Sequence, residues 1–464
     1  MNAAETLKQL RETFSTGLTR TPEWRKGQLR ALRRMLREGE RELVEAMRED
    51  LAKPETEAWV SEISFTANEI DHMLAHLDHW MAPEQVRIPL VQQPGKARVV
   101  REPFGVALVI SPWNYPVQLL LAPLAAAVAA GNCVMGKPSE VTVATSAALA
   151  RLVPEYLDAR AIAVVEGGEH ETTALLLEKF DYIFYTGGAR VGRIVMEAAA
   201  RHLTPVTLEL GGKSPAIVAR DADLWVAARR IAYGKFMNAG QTCVAPDYVL
   251  VDRSVEPALV TKLVEVLRSF YGDDPMKSPD YGRIVDARHF ARLRGLLDAG
   301  GFGEVAVGGE TDEVERYVAP TILREVEPGS AVMQEEIFGP ILPVIPVDSL
   351  QQALDVVAAQ PKPLAVYVFT RSDRTAGEVV DRAGAGAVCV NTTVVHLAIP
   401  ELPFGGVGES GMGAYHGRHG FETFSHRKAV LDKPSRPDIP IQYPPYTKAR
   451  RGVLRAALGG RKRK

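Results

Sequence analysis

Apolar positions along the chain keep two different rhythms. From about Arg25 to Leu51, the residues Leu29, Leu32, Leu36, Leu43, Met47 and Leu51 recur mostly at steps of three, four or seven, with charge between them. That spacing predicts an amphipathic helix stopped by Pro54. The charged opening MNAAETLKQLRETF reads as helix too, and another helical stretch covers roughly Ala58 to Met81. After Pro83 the rhythm changes to short, wholly apolar runs: GVALVI (Gly105 to Ile110), CVMGK (Cys133 to Lys137), AIAVVEGG (Ala161 to Gly168) and YIFYTGG (Tyr182 to Gly188). A helix-like segment follows each run. Apolar strands alternating with helices predict a parallel sheet covered on both faces, so the first half reads as an open α/β domain.

The second half repeats the pattern in AIVA (Ala216 to Ala219), YVLV (Tyr248 to Val251), ILPVIPV (Ile341 to Val347), LAVYVFT (Leu364 to Thr370) and GAVCVN (Gly386 to Asn391). A second α/β domain is therefore expected, with the boundary at the ELGGKSP turn near Glu209. LLLAPLAAAVAA (Leu119 to Ala130) is the most apolar stretch, but it contains Pro123 and is shorter than the roughly 20 residues of a membrane span. It reads as a buried helix.

Composition narrows the function. A chain of 464 residues exceeds one ordinary core, and a formal net charge of −2 argues against a general nucleic-acid binder. The three cysteines, Cys133, Cys243 and Cys389, are widely spaced and form no Cys-x-x-Cys pair, which argues against disulfide scaffolds and zinc sites. No metal is expected. The N-terminus lacks the apolar core and small-residue cleavage site of a signal peptide, so a cytoplasmic protein is expected. The tail KARRGVLRAALGGRKRK is basic and acid-free and reads as a solvated, flexible end (447–464), with a membrane-surface or partner contact as the alternative.

Candidate chemistry sits where strands end. Cys243 lies in GQTC, in a small polar turn after the helical segment AARRIAYGKFM; Gly240 lets the backbone approach a ligand, and peptide N–H groups beside the sulfur favour a thiolate. In VTLELGGKSP, Glu209 closes a strand just before two glycines, at the edge where α/β sheets keep their sites. SPWNYP (Ser111 to Pro116) holds Asn114 in a turn stiffened by two prolines; a rigid side-chain amide there serves as an oxyanion donor or as an ordinary Asn turn. GKPSE (Gly136 to Glu140) offers Lys137 and Glu140 to ribose hydroxyls or phosphate, or to solvent. YTGGARVG opens the helix RIVMEAAARH, a helix N-terminus suited to an anion, although its glycine spacing is not the usual dinucleotide fingerprint.

SPWNYP, GKPSE, FYTGGARVG, LELGGKSP, GQTC, EEIFGP (Glu335 to Pro340) and PFGGVGESGMG (Pro403 to Gly413) stand in the order and approximate separations of the NAD(P)-dependent aldehyde dehydrogenase superfamily, which the chain resembles as far as QYPPY (Gln442 to Tyr446). FMNAGQTCVAPDYVL, GAYHGRHGFETFSH and YPPY resemble its class 3 branch of dimeric fatty and aromatic aldehyde dehydrogenases. The resemblance implies Cys243 as nucleophile, Glu209 as general base, and Asn114 with the Cys243 N–H as oxyanion hole. Lys137 and Glu140 would hold the adenosine ribose, the loop of Gly187, Gly188 and Gly192 the pyrophosphate, Glu336 the nicotinamide ribose, and Phe338 would lie against the nicotinamide. The implied fold is a modified Rossmann cofactor domain (1–83 and 101–208), an α/β catalytic domain (209–391) and a small bridging β-element (84–100 and 392–446) that builds a homodimer. Gly136 and Gly188 depart from the commoner residues at those places, which bears on cofactor affinity. NAD and NADP both stay open, since Glu140 repels a 2′-phosphate unless it swings aside.

The implied reaction is oxidation of an aldehyde to its acid through a thiohemiacetal and a thioester on Cys243, with Cys133 and Cys389 as packing residues. A cofactor-independent thiol esterase using the same cysteine is the alternative. Trp113, Tyr115, Met237 and VVHLAIPEL (Val394 to Leu402) are expected to line a mostly apolar substrate funnel, suited to medium- or long-chain or aromatic aldehydes.

Overall fold

The computed structural model describes residues 3–458 apart from 328 and 439. Two parallel sheets with helices on their faces make an α/β fold. In the first, the strands Val106–Ile110, Cys133–Lys137, Ile162–Val164, Tyr182–Thr186 and Val206–Glu209 are all parallel and are ordered so that the chain starts in the middle, runs to one edge, then crosses back to the other. This is the doubly wound order, and its switch point lies between Val106–Ile110 and Tyr182–Thr186. Gly411–Met412 returns from far down the chain to pair antiparallel with Leu208 and Glu209 at the edge.

The second sheet takes parallel strands Pro215–Val218, Tyr248–Asp252, Thr321–Arg324, Ile341–Val347, Ala365–Phe369 and Ala387–Val390, with Glu304–Val307 added antiparallel. The chain passes from one sheet to the other in the few residues between Glu209 and Pro215. A third, antiparallel sheet joins Glu84–Val86, Lys96–Pro103 and Ser425–Asp432, the last two paired over eight residues.

The expected 25–51 helix is two helices, Pro22–Glu38 and Glu40–Leu51, because Gly39 caps the first through its N–H to the Met35 carbonyl (2.8 Å) and opens the second. The stretch expected from Ala58 is Glu55–Ala58, a π-turn Trp59–Ser64 and Phe65–Met81. The apolar run forms Gln118–Ala130, buried at every position, with Pro22–Glu38 and Phe65–Met81 packed on it. The basic tail is corrected: Lys448–Leu458 is helical and exposed, since its Arg, Lys, Ala and Leu residues favour helix even without a packed face. Its remainder, 459–464, lies outside the described residues. No helix among the described residues is long and apolar enough to cross a membrane.

Candidate active site

The carboxyl ends of the first sheet face the turn that precedes the Tyr248–Asp252 strand of the second. Between them lies a cavity of about 270 Å³, lined by Asn114, Gly187, Gly188, Glu209, Cys243, Glu336 and Phe338 among others. Seven of the ten residues singled out from sequence thus share one space. Lys137 sits on the next strand, in register with Ile110, and its buried ammonium reaches Glu140 at 2.9 Å. Gly192 is buried in the helix Ala189–Ala200 that begins at Gly188.

The Cys243 turn is held from several sides. Asn238, Ala239 and Gly240 all take positive φ, and a Cβ on Gly240 would stand 2.3 Å from the Gly339 carbonyl oxygen, so only glycine fits. Gln241 donates to the carbonyls of Asn238 (2.9 Å) and Arg283 (3.0 Å) and accepts from the Val285 N–H (3.0 Å). Thr242 meets the Tyr115 hydroxyl at 2.7 Å, and the Tyr367 hydroxyl donates to the Val244 carbonyl at 2.5 Å. Strain and hydrogen bonds together fix the sulfur.

Asn114 is tied to the same turn. Its Nδ2 donates to the Gln241 carbonyl (3.0 Å), while its own carbonyl accepts from Asn238 Nδ2 (2.8 Å) and Lys53 Nζ (3.0 Å). Lys53 is also paired with Glu62 in the π-turn, fully buried, and Glu62 accepts from the N–H groups of Val117 (2.8 Å) and Gln118 (3.1 Å). The π-turn therefore anchors the loop that carries the amide.

Burial dominates the electrostatics. It pushes the Glu209 carboxyl well above the usual carboxylate range, and neither of its oxygens has a hydrogen-bond partner. Burial, then the charges of Glu336 and Glu209, push the Cys243 thiol up to about 12, with the Cys243 and Val244 N–H groups pulling the other way. The peptide N–H groups expected to favour a thiolate are present and lower the thiol's value, against burial and two carboxyls that raise it. Burial also raises Glu336 to about 8, and that side chain lies against Gly211, where a Cβ would stand 2.2 Å from its carboxylate. Cys133 and Cys389 are buried in strands, their thiols raised to about 12 and about 11 by burial.

The profile of the Aldehyde dehydrogenase family matches residues 2–430. The chain belongs to this family. It is 50% identical over 457 residues to aldehyde dehydrogenase family 3 member B1 of Bos taurus, covering 98% of this chain and 97% of that one. It is 49% identical over 430 residues to the dimeric NADP-preferring aldehyde dehydrogenase of Rattus norvegicus, covering 93% and 94%. The solved substrate-bound state of Staphylococcus aureus AldH superposes with a TM-score of 0.96 at 44% identity, over 99% and 100% of the two chains. The enzyme is an NAD(P)-dependent aldehyde dehydrogenase, and the esterase alternative finds no support.

The cavity fits the cofactor this activity requires. It opens at the switch point of the doubly wound sheet, where dinucleotides bind. Ser111 Oγ, just past the end of one strand flanking that point, and Thr186 Oγ1, at the end of the other, are buried without partners, and Gly188 caps its helix with no side chain over the N–H groups. Phe338 has a φ of 47° and packs edge-on against Trp113 at 5.4 Å. In this aldehyde dehydrogenase Trp113 therefore lines the cavity that holds Asn114 and Cys243.

Among the cavity's lining residues, Thr186, His289 and Arg292 were not singled out from sequence. Thr186 was legible as the last residue of YIFYT, in register with Glu209. His289 and Arg292 also line the cavity, but they come from the helix Ala287–Asp298, which carries no motif. A second cavity, of about 200 Å³, shares Cys243 and Leu119 with the first. Tyr115, Met237, Val394, Val395, Leu397 and Ala398 line it, joined by Phe65, Tyr233, Phe404 and Tyr415; His396 and Ile399 to Leu402 do not.

Proposed function

We propose that this enzyme oxidises aliphatic aldehydes of medium or long chain, or aromatic aldehydes, at Cys243. The observation that carries the reading is the second cavity: it opens on Cys243 and no Asp, Glu, Lys, Arg or His lines it. A charged chain there would lose its hydration without a partner.

In this reading the Cys243 sulfur attacks the aldehyde carbon and gives a thiohemiacetal. Asn114 Nδ2 and the Cys243 N–H donate to the oxyanion, each worth about 3 to 4 kcal/mol of barrier. NAD or NADP, when bound, supplies the hydride acceptor. Lys137 and Glu140 hold its adenosine ribose, Gly187, Gly188 and Gly192 present the helix N-terminus to its pyrophosphate, and Glu336 and Phe338 position its nicotinamide end. A thioester then remains on Cys243. Glu209, unpartnered and raised by burial, takes a proton from water as that water attacks the thioester, releasing the acid and the thiol.

The proposed domains are residues 1–83 and 101–208 for cofactor binding, 209–391 for catalysis, and 84–100 with 392–446 for bridging. Homodimer assembly is supported by the rat relative's name and by the exposed edge strand Ser425–Asp432. Three free cysteines suit the reducing cytoplasm. A membrane-surface contact is favoured by one feature, the acid-free helix Lys448–Leu458 with Val453 and Leu458 exposed.

The test is NAD(P)H formation across hexanal, dodecanal, benzaldehyde and succinic semialdehyde, with NAD and NADP run separately. Turnover of the first three and not the semialdehyde supports the reading; preference for the semialdehyde overturns it.

A further inference from the structure

The inner cavity is not blind. Tyr233 and Val395 line it and also line a groove of about 700 Å³, whose other walls include Trp225, Phe270, Arg229 and Arg230. No Asp or Glu lines that groove. Trp225, Arg229, Tyr233 and Met237 follow one another at steps of four along the helix Leu224–Phe236 and its cap, so one stripe runs from the groove to the inner cavity. Arg229 is exposed and makes no hydrogen bond or ion pair among the described residues. Arg230 is bonded to the Asn391 carbonyl. The surface beyond an uncharged cavity thus offers an unpaired guanidinium and aromatic faces.

We propose that this groove receives the far end of the substrate, and that the enzyme favours aldehydes whose apolar chain ends in an anionic group, with Arg229 meeting the anion. This rests on the assignment of the inner cavity as the aldehyde path to Cys243. Arg230 fixes the groove wall through Asn391 and adds its charge to the same field. From Arg229 to Met237 the helix rises about 12 Å, so a chain of about ten carbons or more is needed to serve both ends. A short semialdehyde leaves its carboxylate inside the uncharged cavity and is rejected; a long one carries it out to Arg229. Length and charge are therefore read together.

The experiment compares kcat/KM for ω-oxododecanoate and dodecanal, which have equal chain length, in the wild type and in Arg229→Glu and Arg229→Gln, with hexanal as the short reference and NAD(P) saturating. The wild type is expected to prefer ω-oxododecanoate, and higher salt to narrow that preference. Arg229→Glu is expected to lower the ratio of the two about tenfold, through KM, and Arg229→Gln by less. If Arg229→Glu does not fold, the direction in Arg229→Gln decides. A ratio unchanged in a variant that turns over hexanal overturns this inference alone; a wild type inert toward hexanal overturns the aldehyde path and this inference with it.

Discussion

At the scale of single residues, burial raises the proton affinity of the two groups proposed to react. Burial disfavours their charged forms: it pushes the Cys243 thiol up to about 12 and the Glu209 carboxyl well above its ordinary range. The active forms are the deprotonated ones, so kcat/KM should rise with pH across the neutral and alkaline range; a pH–rate profile that is flat or falls above pH 7 would contradict this. Glu140 lies half exposed, its carboxyl held below the ordinary range with the Lys137 hydrogen bond as the chief lowering influence, and in the proposed adenosine-ribose site that charge would oppose a 2′-phosphate. Glu140→Gln should raise kcat/KM with NADP relative to NAD by about fivefold, which initial rates with each cofactor measure.

At the scale of elements, the turn from Met237 to Cys243 is the most constrained part of the chain. Gly240→Ala would place a methyl against the Gly339 carbonyl in a backbone that side chains rarely adopt. It should lower kcat about a hundredfold by displacing the sulfur, with a lower thermal midpoint, both read on purified protein. The strands Val106–Ile110, Cys133–Lys137, Tyr182–Thr186, Tyr248–Asp252, Ile341–Val347 and Ala365–Phe369 were legible because buried parallel strands are uninterrupted apolar runs, whereas Glu304–Val307 and Thr321–Arg324 were not. Gly39, which splits one helix into two, and the π-turn Trp59–Ser64 were not, since helical spacing continues across both. Cys243, Glu209 and Asn114 stood out as polar residues at strand and turn ends, whereas the roles of Gln241, Thr242 and Lys53 depend on partners far along the chain.

At the scale of the molecule, pairings between distant segments were the least legible part. Gly411–Met412 on Val206–Glu209, and Ser425–Asp432 on Lys96–Pro103, join segments with no local signal of partnership. The whole fold also pays for its buried carboxyls. Glu57, half-buried with its Oε1 enclosed and unpartnered, is raised to about 7 and Glu336 to about 8, each mainly by desolvation. A raised folded-state value means the native protein binds the proton more tightly than the unfolded chain. That stabilisation is full below the ordinary value of 4.5 and is lost as pH rises through about 7 and 8. The thermal midpoint of the cofactor-free enzyme should therefore fall between pH 5 and 8, and Glu57→Gln should shallow that slope; an unchanged slope in a folded variant would remove Glu57 from this account.

In the proposed mechanism Cys243 carries the acyl group and Glu209 activates the water that removes it. Glu209→Gln, mixed rapidly with hexanal and saturating NAD(P), followed by intact-protein mass, tests it most directly. One equivalent of NAD(P)H per site and an acyl mass on Cys243, with slow turnover afterwards, is the predicted result. Turnover at the wild-type rate, or an acyl mass that persists in Cys243→Ala, would contradict it.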